Sequence, residues 1–205
     1  MINMLNLGAG KLVKADLEAL GWKFDKWDTL VQLDTLFKNI PDVAVDLSGA
    51  VHAMEHNPSI GTSLNTIRCY EDAFHFLENC PVKFDGIFSA RFFEHIGWSS
   101  LMYFIYLVAD SMKQGALLDI IVPNYKTLAT RILNEKVDAP DFEKENIITT
   151  TELLNEPSMP HSSIWTPERA KYYLEYEGRF EVEKIDSTFS FEGRDVYMRV
   201  AARRV

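Results

Sequence analysis

Short, almost unbroken apolar runs, each closed by a turn-forming or acidic residue, set the rhythm of this chain. Met1–Leu7 is the first. Thr29–Leu33, closed by Asp34, and Pro41–Val45, closed by Asp46, are the second and third. Phe84–Phe88, closed by Ser89, and Ala116–Val122, stopped by Pro123, follow. Runs this short with no polar alternation predict parallel strands covered on both faces. Between the last two, Ser100–Met112 is apolar nearly all round and predicts a largely buried helix, with a turn at Lys113–Gly115.

The pattern changes towards the C-terminus. Thr166-Pro167-Glu168 carries a capping hydroxyl, a proline for the first helical position and an acid for the first turn. That combination predicts a helix start, and the helix runs to about Gly178. Phe180–Ser187 and Asp195–Ala202 then read as strands joined across Phe191–Arg194 in a hairpin. Two stretches, at about 49–70 and 138–161, exceed ordinary connections and predict insertions in a single domain over 1–205. Within the first, NTIRCYEDAFHFLEN also reads as a strand ending on Glu71-Asp72. The expected class is α/β, a mostly parallel sheet with a C-terminal antiparallel hairpin.

Composition narrows the class further. The chain has 205 residues, of which 47% are hydrophobic and 25% charged, as in ordinary globular domains. No apolar run approaches a membrane span, and no basic-then-apolar leader precedes the first strand, so a cytoplasmic location is expected. Cys69 and Cys80 form neither a disulfide framework nor a metal-binding pair. The net charge of −9 lacks the basic stripe that bulk nucleic-acid binding requires, so that partner is disfavoured.

The strand ends carry the candidate chemistry. In open α/β sheets ligands lie beyond the carboxyl ends of the strands. Gly8 and Gly10 follow the first strand, where a missing side chain lets backbone approach a ligand. Asp34 and Asp46 close the next two, and an acid after the second strand suits both hydroxyls of a ribose, since a carboxylate accepts two hydrogen bonds at once. Ser89-Ala90-Arg91 closes the fourth.

In this order the motifs resemble a branch of the class I S-adenosylmethionine-dependent methyltransferases. LNLGAG is similar to that branch's LNLGCG opening, and LVQLDTLFKNIPDVAVDLSG to its next two strands. FDGIFSARFFEHI resembles its fourth-strand motif, and LVADSMKQGALLDIIVPN its helix, turn and fifth strand. The resemblance implies a Rossmann-like fold and S-adenosyl-L-methionine as cofactor. It further implies that Gly8, Ala9 and Gly10 line the methionine part, Asp34 holds the ribose, Asp46 and Leu47 flank the adenine, and Ser89 flanks the sulfonium. In an alternative register Asp46 holds the ribose and Asp72 lies by the adenine. The third glycine of the usual opening is absent, with Lys11-Leu12 in its place, and Arg91 stands where relatives often carry histidine.

Arg91, Glu94, His95 and His161 are the candidates for the acceptor side. A histidine there suits proton transfer at neutral pH, and a fixed guanidinium suits a carboxylate or phosphate on the acceptor. Glu94-His95 also reads as a helix anchor, and Trp165 as either a wall of the acceptor pocket or a core residue. His52, His56 and His75 show no ligand spacing, and no metal is expected. The acidic charge, and the lack of an amine-flattening motif after the fourth strand, favour a small-molecule, sugar or peptide acceptor. An inactive binding module with this fold is the competing reading. A nicotinamide oxidoreductase ranks last, because Val13 occupies the place of its third glycine. An exposed apolar lid would also suit a face between two copies of the chain.

Overall fold

A computed structural model describes residues 3–7, 29–34, 65–70, 72–134, 161–191 and 193–205. Its strands are β1 (Asn3–Leu7), β2 (Thr29–Asp34), β3 (Asn65–Tyr70), β4 (Phe84–Ala90), β5 (Met112–Pro123), β6 (Phe180–Phe191) and β7 (Arg194–Arg204). They form one seven-stranded sheet in the order β3-β2-β1-β4-β5-β7-β6. The first five run parallel, while β7 pairs antiparallel with both β5 and β6. This is the α/β sheet with a terminal hairpin that the sequence predicts. The described helices are α1 (Ala73–Asn79), α2 (Trp98–Asp110), α3 (Tyr125–Asn134) and α4 (Pro167–Glu175). Among the described residues no helix is long and apolar enough to cross a membrane.

Strands β1, β4 and β5 are apolar on both faces because both are covered. Leu5 and Leu7 of β1, and Leu118, Ile120 and Val122 of β5, turn to one face and pack with Leu101, Phe104 and Val108 of α2 and Leu174 of α4. Met4, Phe88 and Ile121 turn to the other, with Leu128 of α3 and Tyr197 of β7. Alternation along each strand thus feeds two separate cores. Burying each such side chain contributes roughly 1.5–3 kcal/mol, which is why these runs tolerate few polar residues.

Two local outcomes differ from expectation. The turn at Lys113–Gly115 is a bulge inside β5, because Phe84 pairs with Met112 and Gly86 already with Leu117. Gly115 takes φ of +78° there, a conformation glycine adopts without a steric penalty. Asn65–Tyr70, placed in an insertion by one reading and in a strand by the other, is the edge strand paired with β2. The strand expected at Pro41–Val45 and the lid up to residue 160 lie outside the described residues.

The C-terminal helix starts as its sequence dictates. Thr166 Oγ1 accepts from the Arg169 amide at 3.3 Å, and Pro167 opens α4. Across the β5–β7 ladder, Arg199 holds Asp119 in a fork, with Nε at 3.0 Å from Oδ1 and Nη2 at 2.6 Å from Oδ2.

Candidate active site

The chain leaves β1 towards β2 and β3, then returns to β4 on the other side of β1. Such a reversal opens a crevice beyond the carboxyl ends of the two central strands. Leu7 pairs with Ser89 at that edge, and Asp34, the last residue of β2, pairs with Tyr70. Gly8, Ala9, Gly10, Asp46 and Leu47 lie outside the described residues. Ser89 is buried and its Oγ donates to the Leu7 carbonyl at 2.9 Å. What Ser89 offers the crevice is therefore its small size more than its hydroxyl.

Asp72 is exposed beyond β3 and caps α1 through one oxygen, with Oδ1 accepting from the Phe74 and His75 amides at 3.0 and 3.1 Å. Asn6 carries no distinguishing signal in the sequence. It is fully buried, and neither amide atom has a hydrogen-bond partner among the described residues.

Beyond β4 the backbone turns sharply. Arg91 takes φ of +54°, a left-handed conformation that costs an L-residue about 1–2 kcal/mol. Its amide donates to the Ile121 carbonyl at 2.9 Å, which ties the turn to the end of β5. The exposed Arg91 is followed by buried Phe92 and Phe93 and by a single 3-10 turn, Phe93–His95. That turn leaves Glu94 wholly inside the protein.

A second segment, just before α4, is held against this turn. The Ser162 and Ser163 amides donate to the Glu94 carbonyl at 2.8 and 3.0 Å, and Ser163 Oγ donates to the Phe93 carbonyl at 3.1 Å. Trp165 Nε1 donates to Ser163 Oγ at 3.0 Å. Trp165 itself is fully buried, edge-on to Phe93 and Tyr173, so it is a core residue and not a pocket wall. Its carbonyl accepts from the Tyr125 amide at 3.0 Å, which brings the first residue of α3 into the same cluster.

These constraints gather groups that are far apart in the chain. The His95 and His161 rings stand edge-to-face with centroids 4.8 Å apart. The Tyr125 hydroxyl and His161 Nδ1 share a hydrogen bond of 2.8 Å. Glu94, His95 and His161 each place one ligating atom within 4.8 Å of the others. Neither carboxyl oxygen of Glu94 makes a hydrogen bond to another described residue. Tyr125 is the group sequence reasoning missed, and its only signal is its place just after the Val122-Pro123-Asn124 strand end.

Burial governs how the cluster is charged. It pushes the Glu94 carboxyl up to about 8, with nearby Arg91 too weak to reverse the effect. It lowers His161 to about 4, helped by His95 and Arg91. It also holds the Tyr125 phenol well above its ordinary range, with Glu94 adding to the effect. At neutral pH His161 is therefore an uncharged imidazole, with a lone pair for a proton or a Lewis acid.

No protein-family model matches the sequence, and no curated protein sequence matches it. Solved structures do resemble the fold. A methyltransferase dependent on S-adenosylmethionine from Methanosarcina mazei aligns with a TM-score of 0.56 and 14% identity, covering 99% of this chain and 92% of that one. One from Mesorhizobium loti aligns with a TM-score of 0.55 and 14% identity, covering 99% and 91%. A third, from Archaeoglobus fulgidus, aligns with a TM-score of 0.54 and 19% identity, covering 99% and 86%. The chain has the fold shared by these S-adenosylmethionine-dependent methyltransferases.

Proposed function

We propose that this protein transfers a methyl group from S-adenosyl-L-methionine to a small-molecule, sugar or peptide acceptor. The observation that carries the reading is the arrangement around the β1–β4 reversal. An acid closes β2 on one side of that crevice, and the Glu94, His95, His161 and Tyr125 cluster stands beyond β4 on the other.

The residues at the crevice suit such a cofactor. Ser89 is small, and Asn6, two residues before Gly8, is a buried amide with no partner among the described residues. In this reading Gly8, Ala9 and Gly10 run along the methionine portion, and Asp34 accepts the ribose hydroxyls. Because β3 pairs with β2 as Asn65–Tyr70, we assign Asp72 to the adenine side. Asp46 and Leu47 hold that role in the register read first from the sequence.

When bound, the cofactor would supply an activated methyl on a sulfonium, open to in-line attack by an acceptor with the neutral thioether of S-adenosylhomocysteine as the leaving group. The chain's task is to align the acceptor and exclude water. Arg91 would engage a negative group on it, and Glu94, His95 and His161 would meet its reacting oxygen or nitrogen. The acidic net charge of −9 argues against a bulk nucleic-acid acceptor.

Calorimetric titration of S-adenosylmethionine and S-adenosylhomocysteine, with NADH as control, tests the reading. Asp34→Ala removes two charge-assisted hydrogen bonds of about 1.5–3 kcal/mol each, so at about 1.4 kcal/mol per decade the affinity drops at least tenfold. Asp72→Ala separates the two registers on the adenine side. If neither sulfur ligand binds the wild-type chain, the methyltransferase reading fails.

A further inference from the structure

We propose that Glu94, His95 and His161 form a binding site for one divalent transition-metal ion at the acceptor end of the crevice. Their ligating atoms lie within 4.8 Å of one another. A shared ion at about 2.0–2.2 Å from each donor needs them roughly 3–4 Å apart. The closure required is about an ångström, within reach of side-chain rotation for the half-buried His95 and His161.

Three independent features point to an ion. Glu94 is 0% exposed, and its carboxyl oxygens make no hydrogen bond to another described residue. Without a partner such a carboxyl stays protonated, and pairing or metal coordination is what holds it ionised in the interior. The two segments that carry the donors are already fixed, because the Glu94 carbonyl accepts from Ser162 and Ser163, the residues that follow His161. Finally, the Tyr125 hydroxyl engages His161 Nδ1, the outer bond that orients most metal-binding imidazoles. In the tautomer whose Nδ1–H donates to the phenol oxygen, Nε2 is left with a lone pair for the ion.

The donor set selects the ion. One carboxylate and two imidazoles without a thiolate suit Zn²⁺, Mn²⁺, Fe²⁺ or Co²⁺ better than Ca²⁺ or Mg²⁺. Three protein donors leave coordination positions open. Arg91 is nearby but exposed, so water screens its charge. An acceptor oxygen would take an open position, and this second step rests on the methyl-transfer reading. Occupancy of the site does not.

The protein, stripped with a chelator, is titrated with ZnCl₂, MnCl₂ or CoCl₂ alone and followed by calorimetry, with visible spectra for cobalt. One ion per chain is expected for at least one metal, with a cobalt spectrum of nitrogen and oxygen ligation. Glu94→Gln and His161→Gln each weaken binding by at least the roughly 10–100-fold typical of outer-shell changes, and Tyr125→Phe falls within that range. Circular dichroism of each metal-free variant separates lost ligation from lost fold. No stoichiometric binding, affinity unchanged in folded Glu94→Gln and His161→Gln, or a cobalt–thiolate band from a cysteine such as Cys80 would each overturn the site. S-adenosylmethionine binding is measured separately on the stripped protein. Its failure would sink the methyltransferase reading while leaving the ion site standing.

Discussion

The hydroxyl of Tyr125 lies 2.8 Å from Nδ1 of His161, joining the first turn of α3 to the segment that leads into α4. Both groups are more than half buried, so neither recovers its bond from water at full value. Tyr125→Phe keeps the ring and removes the bond, and the expected loss is about 1–2 kcal/mol of unfolding free energy. Urea unfolding of the metal-free protein measures it. A change near zero would mean that the pair forms no effective bond in solution.

Glu94 and His161 shape the pH dependence of stability in opposite directions. The Glu94 carboxyl titrates near 8 when folded, above its ordinary 4.5, so the native state holds an extra proton between those values. Its contribution is complete at low pH and is lost as pH rises through about 8. His161 titrates near 4 when folded against an ordinary 6.5, so its effect is reversed, and stability gains as pH rises from about 4 to 6.5. The groups facing them are Arg91, His95 and Tyr125. With chelator present, the two effects oppose below about pH 6.5, and stability falls from there to about 8. Glu94→Gln should abolish the fall and uncover the rise. Denaturation midpoints across pH 4–8 decide it, and a wild-type midpoint that climbs from 6.5 to 8 would rule the account out.

What could be read in the sequence follows from how local each signal is. Thr166-Pro167-Glu168 declares a helix start within three residues, and the cap hydrogen bond forms there. The runs that became β1, β4 and β5 are apolar enough to be buried on both faces whatever their neighbours. Lys113–Gly115 looks like a turn and becomes a bulge, because the glycine marks a bend and only the ladder with Phe84 and Gly86 shows that the strand continues through it. Asn65–Tyr70 contains asparagine, threonine and arginine, which hide an edge strand inside a polar stretch. Glu94 and His95 stand out because they follow a strand end. That they meet His161 and Tyr125 is a product of the Ser162, Ser163 and Trp165 backbone bonds, which no spacing along the chain encodes.

Ser163 is the small residue on which that meeting depends. It is buried, donates to the Phe93 carbonyl and accepts from the Trp165 indole at 3.0 Å. Ser163→Ala leaves the indole N–H without that partner in the core, and the expected loss is about 1–3 kcal/mol. Paired with Trp165→Phe in a double-mutant cycle, the two changes should be less than additive, because the second removes the donor that the first strands. Full additivity would show that the bond contributes nothing.

The fork between Arg199 and Asp119 offers a test of the sheet itself, away from the crevice. Asp119 is only 3% exposed on its side chain and Arg199 is 26% exposed, so the pair is shielded from solvent on the carboxylate side. Forming such a pair carries a desolvation penalty that offsets much of its attraction, whereas breaking it strands a charge in the interior. Arg199→Ala should therefore destabilise by about 3 kcal/mol, the low end of the range for buried pairs because the guanidinium is partly solvated. Arg199→Lys should recover only part of this, since an ammonium cannot make the two-pronged contact. Replacing both partners, as Asp119→Leu with Arg199→Met, should cost less than Arg199→Ala alone, because no charge is then left behind. Urea unfolding of the four proteins gives the ranking, and a double variant less stable than Arg199→Ala would mean that the pair contributes net stability of its own.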